Sequence, residues 1–257
     1  ARCKEILAFG LVTGADRAVL DRGREAKNTF ARQASRTRKR KEIWLQQHDV
    51  TIGDVFALAE DLAAEAEDLP AGGAAAFRRR MDAALLALSV NAPLRCGDLH
   101  GVTLGRTLLR DAEGWRLALD TRKTGLRYES DDLWPEVAAI LDAHLLDGAP
   151  ADQLWRRVAA RDGTPFFSFD DGATGVAVGW PSKVWRRHVG TVEHSVRTLW
   201  HQLCYLTEPD KVWMALALCG QASERTADEY RVKAGRRAVC ARAQSLMRAA
   251  RADLEIE

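Results

Sequence analysis

Apolar residues recur at helical spacing through most of this chain, which predicts a mainly helical protein. The spacing is clearest in residues 51–68, where Thr51 is placed to cap a helix and Asp54 to complete a capping box. Residues 75–90 are apolar on nearly every face, so this helix is expected to be buried. Further helices are expected at 4–31, 133–145, 182–188, 193–206, 210–219, 223–231 and 234–253, with a short one near Trp155.

The pattern changes between residues 102 and 130, where strand-like runs are separated by turn signals. Residues 102–110 and 115–121 flank the sequence Asp-Ala-Glu-Gly, which indicates a hairpin. A second turn is expected at Arg-Lys-Thr-Gly, residues 122–125, and a third strand in the residues that follow. The predicted fold class is therefore mainly α with a small three-stranded antiparallel sheet (α+β).

Composition excludes several classes of protein. No run of 18 apolar residues exists, so a transmembrane helix is not expected, and no secretory signal is visible at the start. The five cysteines are odd in number and far apart, and none forms a Cys-x-x-Cys pair. A disulfide framework and a structural zinc site are therefore not expected, and a reducing cytoplasm is the expected compartment.

Charge is distributed unevenly, although the formal net charge is only +2. Residues 32–41 contain six basic residues and no acidic one, whereas residues 42–77 contain no lysine or arginine. Such a strip is typical of segments that contact DNA phosphates. It is equally typical of a solvated linker that precedes the polar face of a helix, and charge alone leaves both interpretations open.

Several basic residues and one tyrosine follow one another in separate short motifs. An arginine follows the buried helix, a lysine lies in the predicted hairpin turn, and a His-x-x-Arg pair shares one helix face. A tyrosine comes last, nine residues after a glutamine. This set suits an anionic, metal-free reaction at phosphorus. Its members are Arg95, Lys123, His194, Arg197 and Tyr230.

On these motifs the chain resembles the catalytic domain of tyrosine recombinases, the phage-integrase family, over roughly residues 48–235. Four motifs stand in the order that the family requires. They are Pro93-Leu94-Arg95-Cys96-Gly97-Asp98-Leu99, Lys123-Thr124-Gly125, His194-Ser195-Val196-Arg197, and Cys219-Gly220-Gln221 followed by Thr226 and Tyr230. The chain departs from the family at Gln221, where His or Trp is usual, and at Thr198, where many members have a second His. It also has Ala92-Pro93 before the first motif, in place of a small residue and a glycine.

The resemblance implies a role for each of these residues. Arg95 and Arg197 would hold the phosphodiester, and Tyr230 would attack it to form a covalent 3′-phosphotyrosine. His194 would act as general base or orienting group, and Lys123 as general acid for the departing 5′ oxygen. Gln221 would donate a hydrogen bond to a phosphate oxygen. No metal, ATP or other cofactor is expected, because the phosphotyrosine conserves the energy of the broken bond.

The resemblance also implies the organisation of the chain and its partners. Residues 1–47 are expected to be a helical remnant of a core-binding domain plus a basic linker, and residues 48–257 a catalytic domain with a C-terminal helix. The chain would then be a fragment of a longer protein. Its partner would be a double-stranded DNA recombination site, bound by four protomers, with a monomer when free and no membrane association. A bacterial cytoplasm, at the nucleoid, is expected. The expected DNA-contacting residues are Arg36, Arg38, Lys39, Arg40 and Lys41.

Two alternatives to an active recombinase or integrase stay open. The first is a DNA-binding relative that no longer cleaves and acts as an architectural or regulatory protein, which the unusual Gln221 favours. The second is a topoisomerase-like strand transferase that uses the same nucleophile. Relaxation of supercoiled DNA without paired sites would distinguish it from a recombinase.

Overall fold

The described part of the chain is mainly helical and carries a small antiparallel sheet, as predicted. The computed structural model describes residues 2–36, 40–130, 132–207 and 212–221. The chain divides into two compact units, Ala1–Asp49 and Val50–Glu257. None of the described helices is long and apolar enough to span a bilayer.

The first unit consists of helices. Helix α1 (Arg2–Val12) packs against α2 (Arg17–Arg36), and the two approach closely at Gly10, where an added Cβ would lie 3.1 Å from the Leu20 side chain. Large apolar side chains remain exposed on both helices, among them Phe9 and Phe30. The helices are α1 (Arg2–Val12), α2 (Arg17–Arg36) and α3 (Arg40–His48).

The basic strip falls at the junction of α2 and α3. Arg36 is the last residue of α2, and Arg40 and Lys41 begin α3. Arg38 and Lys39 lie outside the described residues. The residues predicted to form a linker are therefore helical at both edges of the strip.

The second unit holds the remaining helices and the sheet. Thr51 caps its first helix as predicted: the Asp54 backbone N–H donates to Thr51 Oγ1 (3.1 Å), and the Thr51 N–H donates to Asp54 Oδ2 (2.8 Å). In chain order the elements are α4 (Ile52–Glu67), α5 (Ala74–Asn91), α6 (Cys96–Leu99), β1 (Leu108–Arg110), β2 (Trp115–Asp120), β3 (Arg127–Glu129), α7 (Pro135–Leu146), a 3₁₀ turn (Ala151–Gln153), α8 (Leu154–Ala160), α9 (Trp180–His188), α10 (Ser195–Thr207) and α11 (Val212–Leu218).

Helix α5 lies at the centre of this unit, which confirms the prediction that it is buried. Every residue from 80 to 91 is buried, and α4, α7 and α9 pack against it. The Trp185 indole N–H donates to Ser89 Oγ (3.1 Å), and the Trp200 indole N–H donates to the Val90 carbonyl (2.7 Å). These bonds attach α9 and α10 to the C-terminal end of α5, directly before Arg95.

A buried carboxylate joins α9 to the middle of α5. Asp82 is 3% exposed and would be costly to bury without partners. Its Oδ2 accepts a hydrogen bond from Arg187 Nη1 (2.9 Å) and lies 2.8 Å from His188 Nε2. Both partners come from the last turn of α9, so that turn is fixed on α5.

The sheet is an antiparallel meander in the order β1-β2-β3. Leu108 pairs with Leu117, and Asp120 pairs with Arg127, so the second hairpin places residues 121–126 at its turn. The prediction that strand β1 extends over residues 102–110 is wrong. The Thr107 and Leu108 N–H groups donate to the Thr103 carbonyl, and the resulting turn interrupts the strand.

Candidate functional site

Arg197 is a buried cation at the start of α10. It is 1% exposed, and its Nη1 donates a hydrogen bond to the Pro93 carbonyl (2.8 Å). Its Nε and Nη2 are also buried, and neither has a hydrogen-bond partner among the described residues. A guanidinium that is buried with unsatisfied N–H groups is unfavourable unless an acceptor, such as a water molecule or an anion, completes its hydrogen bonding. The structure therefore places a buried cation with two such N–H groups against the segment that carries Arg95.

Arg95 approaches the same point from the end of α5. It is the N-cap residue of α6, two positions after the carbonyl that Arg197 contacts, and it is half-buried. Burial raises the pKa of the Cys219 thiol to about 12, and the Arg197 and Arg95 guanidiniums both act against this rise in pKa. Both arginines of the predicted pair therefore lie within electrostatic range of one buried cysteine.

Lys123 lies where the sequence predicted it, in the turn between β2 and β3. The turn is closed by Thr121 and Thr124, whose hydroxyl oxygens lie 2.6 Å apart. The neighbouring Arg122 N–H donates to Asp98 Oδ1 (2.8 Å), and Asp98 is buried three residues after Arg95. The Lys123 side chain is exposed, and its turn is fixed to the short helix that Arg95 caps.

The residues after α11 lie on the base of this hairpin. The Gly220 N–H donates to the Ala217 carbonyl and the Gln221 N–H to the Leu216 carbonyl, both at 2.9 Å. This Schellman arrangement requires a left-handed residue, and Gly220 has φ +55°. An added Cβ at Gly220 would lie 3.3 Å from Tyr128 and 3.5 Å from Thr121. The motif before the predicted nucleophile is therefore packed against the lysine hairpin.

Two histidines lie close to Arg197 in the sequence, one directly before α10 and one within it. His194 is half-buried directly before α10, and His201 is fully buried one turn beyond Arg197. His201 Nε2 lies 3.2 Å from Gln221 Oε1. The pKa of His201 is lowered to about 4, chiefly by burial: the Gln221 contact opposes this lowering, and the Arg197 guanidinium adds to it.

Sequence reasoning missed a buried polar cluster behind the two arginines. Cys96 Sγ donates to Glu193 Oε2 (3.0 Å) and lies 3.0 Å from Ser182 Oγ. Burial raises the pKa of Glu193 to about 7, although the Cys96 hydrogen bond and Arg197 lower that pKa. Cys96 and Glu193 flank Arg95 and His194 in the sequence, which was the available signal. Their contact spans 97 residues and is not visible in either motif.

Tyr128 is a second residue that the motifs did not reveal. It lies in β3, is 6% exposed and packs against the Gly220 backbone. Burial raises the pKa of Tyr128, the Cys219 thiol raises that pKa further, and Arg197 opposes the rise. A buried phenol therefore lies within electrostatic range of the central cation.

The structure relates the predicted site residues only in part. Arg197 bonds the segment before Arg95, Gln221 contacts His201 of the helix that carries Arg197, and Lys123 lies in the turn that is bonded to Asp98. His194 directly precedes α10. Tyr230 lies outside the described residues, so its position stays a prediction. Within the described ranges, no group of three His, Cys, Asp or Glu side chains is placed to hold a metal ion.

Comparison with known proteins leaves the site to be interpreted from its own geometry. No protein-family model, curated protein or solved structure matches this chain. The likeness to tyrosine recombinases therefore stays a resemblance carried by the four sequence motifs.

The Glu193 carboxyl predicts a specific dependence of stability on pH. Its folded pKa of about 7 lies above its ordinary value of 4.5, so the folded protein holds a proton that the unfolded chain has released. This contribution is present below about pH 4.5 and is lost as the pH rises through about 7. Across this range the free energy of unfolding of wild type should fall by an amount on the order of 2 kcal/mol that Glu193→Gln does not show.

Urea unfolding at pH 5, 6, 7 and 8 measures this effect as the difference between wild type and E193Q. Glu60→Gln, which removes an exposed carboxylate of α4, is the matched control and should follow wild type. Parallel stability profiles for wild type and E193Q would show that the buried carboxyl is not protonated in the folded protein.

Proposed function

We propose that this chain is the catalytic part of a site-specific DNA recombinase or integrase that cleaves and rejoins DNA through a 3′-phosphotyrosine. The proposal rests on the buried Arg197 guanidinium, whose Nε and Nη2 have no hydrogen-bond partner in the described part of the chain. Two adjacent N–H groups of one guanidinium match the spacing of two oxygens on a phosphodiester. Arg95, which like Arg197 acts electrostatically on the buried Cys219, supplies the second cation.

The proposed reaction needs a nucleophile, a leaving-group acid and stabilisation of negative charge. The Tyr230 oxygen attacks phosphorus, the bond from phosphorus to the 5′ oxygen breaks, and the new bond is the phosphotyrosine. The tyrosine proton passes to His194, and Lys123 donates a proton to the departing 5′ oxygen. Arg95 and Arg197 stabilise the charge that develops on the non-bridging oxygens, which is the largest expected contribution to catalysis. Rejoining follows when a 5′ hydroxyl attacks the phosphotyrosine.

The hairpin contacts support the role proposed for Lys123. Asp98 holds the turn through the Arg122 N–H, and the Gly220 backbone packs on its base at Thr121. An exposed lysine on a turn anchored at both ends can reach a bound strand without ordering the hairpin first. This saves conformational entropy when DNA binds.

The central prediction is a covalent adduct that depends on Tyr230. Wild type, Tyr230→Phe and Tyr128→Phe are incubated with nicked DNA that carries candidate sites, and denaturing gels measure the adduct. We expect adducts for wild type and Y128F and none for Y230F, because only Tyr230 has the motif spacing. Y128F is the matched control because Tyr128 is a buried phenol within electrostatic range of Arg197.

The other outcomes distinguish the alternatives. An adduct that persists in Y230F and disappears in Y128F would identify Tyr128 as the nucleophile. DNA binding without any adduct would favour the relative that no longer cleaves. Adduct formation together with relaxation of supercoiled DNA that lacks paired sites would favour a topoisomerase-like enzyme.

A second prediction concerns the basic strip at the junction of α2 and α3. Neutralising these residues should weaken binding on every DNA sequence and lower the salt slope of log K by roughly 0.9 for each phosphate that is no longer neutralised. Arg22→Gln with Arg24→Gln, on the exposed part of α2, controls for the removal of positive charge alone. Unchanged affinity at low salt would show that the strip does not bind DNA. The residues are Arg36, Arg38, Lys39, Arg40 and Lys41.

A further inference from the structure

One hydrogen bond joins the middle of α10 to Gln221, three residues after the end of α11. His201 Nε2 and Gln221 Oε1 lie 3.2 Å apart, and His201 is fully buried. His201 lies four residues after Arg197 and therefore one turn further along the same helix face. The contact spans 20 residues of sequence, so it connects two of the motifs that carry the site.

The direction of this bond follows from the chemistry of its two atoms. The amide oxygen is the atom that faces His201, and an amide oxygen can only accept a hydrogen bond, so in this arrangement His201 Nε2 donates. A protonated imidazolium is disfavoured here, because burial and the Arg197 guanidinium lower the pKa of His201 to about 4. His201 is therefore a neutral imidazole with its hydrogen on Nε2 at neutral pH.

The backbone of Gln221 is fixed independently of its side chain. Its N–H donates to the Leu216 carbonyl (2.9 Å), and the preceding Gly220 packs on Tyr128 and Thr121. With both the backbone and the amide oxygen held, the planar amide group is held as well. Its nitrogen is then turned away from the bond to His201.

We propose that His201 is a positioning residue that holds the oxygen of Gln221, so that the amide NH₂ faces the phosphate bound by Arg197. This inference rests on the proposed function. A glutamine has one end that would repel a phosphate oxygen and one end that donates to it. His201 selects the donating end. The chain thereby obtains an oriented neutral donor at a position where an unassisted glutamine would present either end.

The first test compares rates of adduct formation on the nicked DNA. His201→Phe keeps the ring volume and removes the donor, whereas His201→Gln keeps an N–H near the position of Nε2. We expect H201F to slow adduct formation about tenfold or more at unchanged DNA affinity, because the hydrogen bond from Gln221 to a charged group is no longer oriented. H201Q should restore most of the rate.

A double-mutant cycle separates positioning from a general structural role. If His201 acts through Gln221, the variant H201F/Q221A should be no slower than Gln221→Ala alone. The proposal would be overturned if the fold-reductions of the two single variants multiplied in the double variant. It would also be overturned if H201Q were as slow as H201F. His144→Phe is the matched control, because His144 is equally buried but lies among Phe77, Phe166 and Phe167 away from Arg197.

A second readout does not require activity. Imidazole nitrogen NMR of the full chain reports which ring nitrogen of His201 carries the proton, with H201F used for assignment. We expect a neutral ring protonated at Nε2 at pH 7, and a shift of that signal in Q221A. A ring protonated at Nδ1, or at both nitrogens, would overturn the proposal. Absence of any adduct in wild type would instead contradict the proposed function and leave this measurement decisive for His201.

Discussion

The bond between Arg197 and the Pro93 carbonyl connects the core of the second unit to its candidate site. It joins the first turn of α10 to the segment that leaves the buried helix α5. The Arg197 side chain that makes this bond is buried, with only 1% of the residue exposed. Burying a charge is favourable only where other groups compensate for the removal of water. In this structure the Pro93 carbonyl does so in part, and two N–H groups of Arg197 have no hydrogen-bond partner among the described residues.

The surrounding elements are arranged around this constraint. Trp185 and Trp200 attach α9 and α10 to the end of α5, so Arg95 and Arg197 are carried by helices that share one support. The hairpin reaches the site through Asp98, and the end of α11 reaches it through Gly220. The described parts of these motifs are thus held by contacts of the fold itself.

Much of this arrangement could be predicted because its signals are local. The capping box of α4, the burial of α5 and the hairpin turns follow from spacing, and the structure confirms them. The prediction for the early part of β1 is wrong, because the strand-like pattern of residues 102–107 conceals a turn at Gly105, which has φ +72°. The order of the four motifs is readable in the sequence, and their convergence depends on contacts over about a hundred residues.

Other features of the site could not be predicted from the sequence. A glutamate beside a motif histidine is usually solvated, and only the fold shows that Glu193 faces Cys96 and is buried. Likewise, the sequence shows only that Gln221 stands where the resembling family usually has His or Trp. The fold adds that its amide oxygen contacts His201. Electrostatics of this kind depend on burial, and burial of a polar residue is decided by tertiary packing.

The most direct measurement is a crystal structure of the chain soaked in tungstate, with Arg197→Lys as the comparison. The account predicts one tungstate within hydrogen-bond distance of Arg197 Nε and Nη2 and of the Arg95 guanidinium, and none in R197K. If those two N–H groups are instead bound by other residues of the chain, and no tungstate occupies the site at saturation, Arg197 is a structural cation and the phosphate site does not exist.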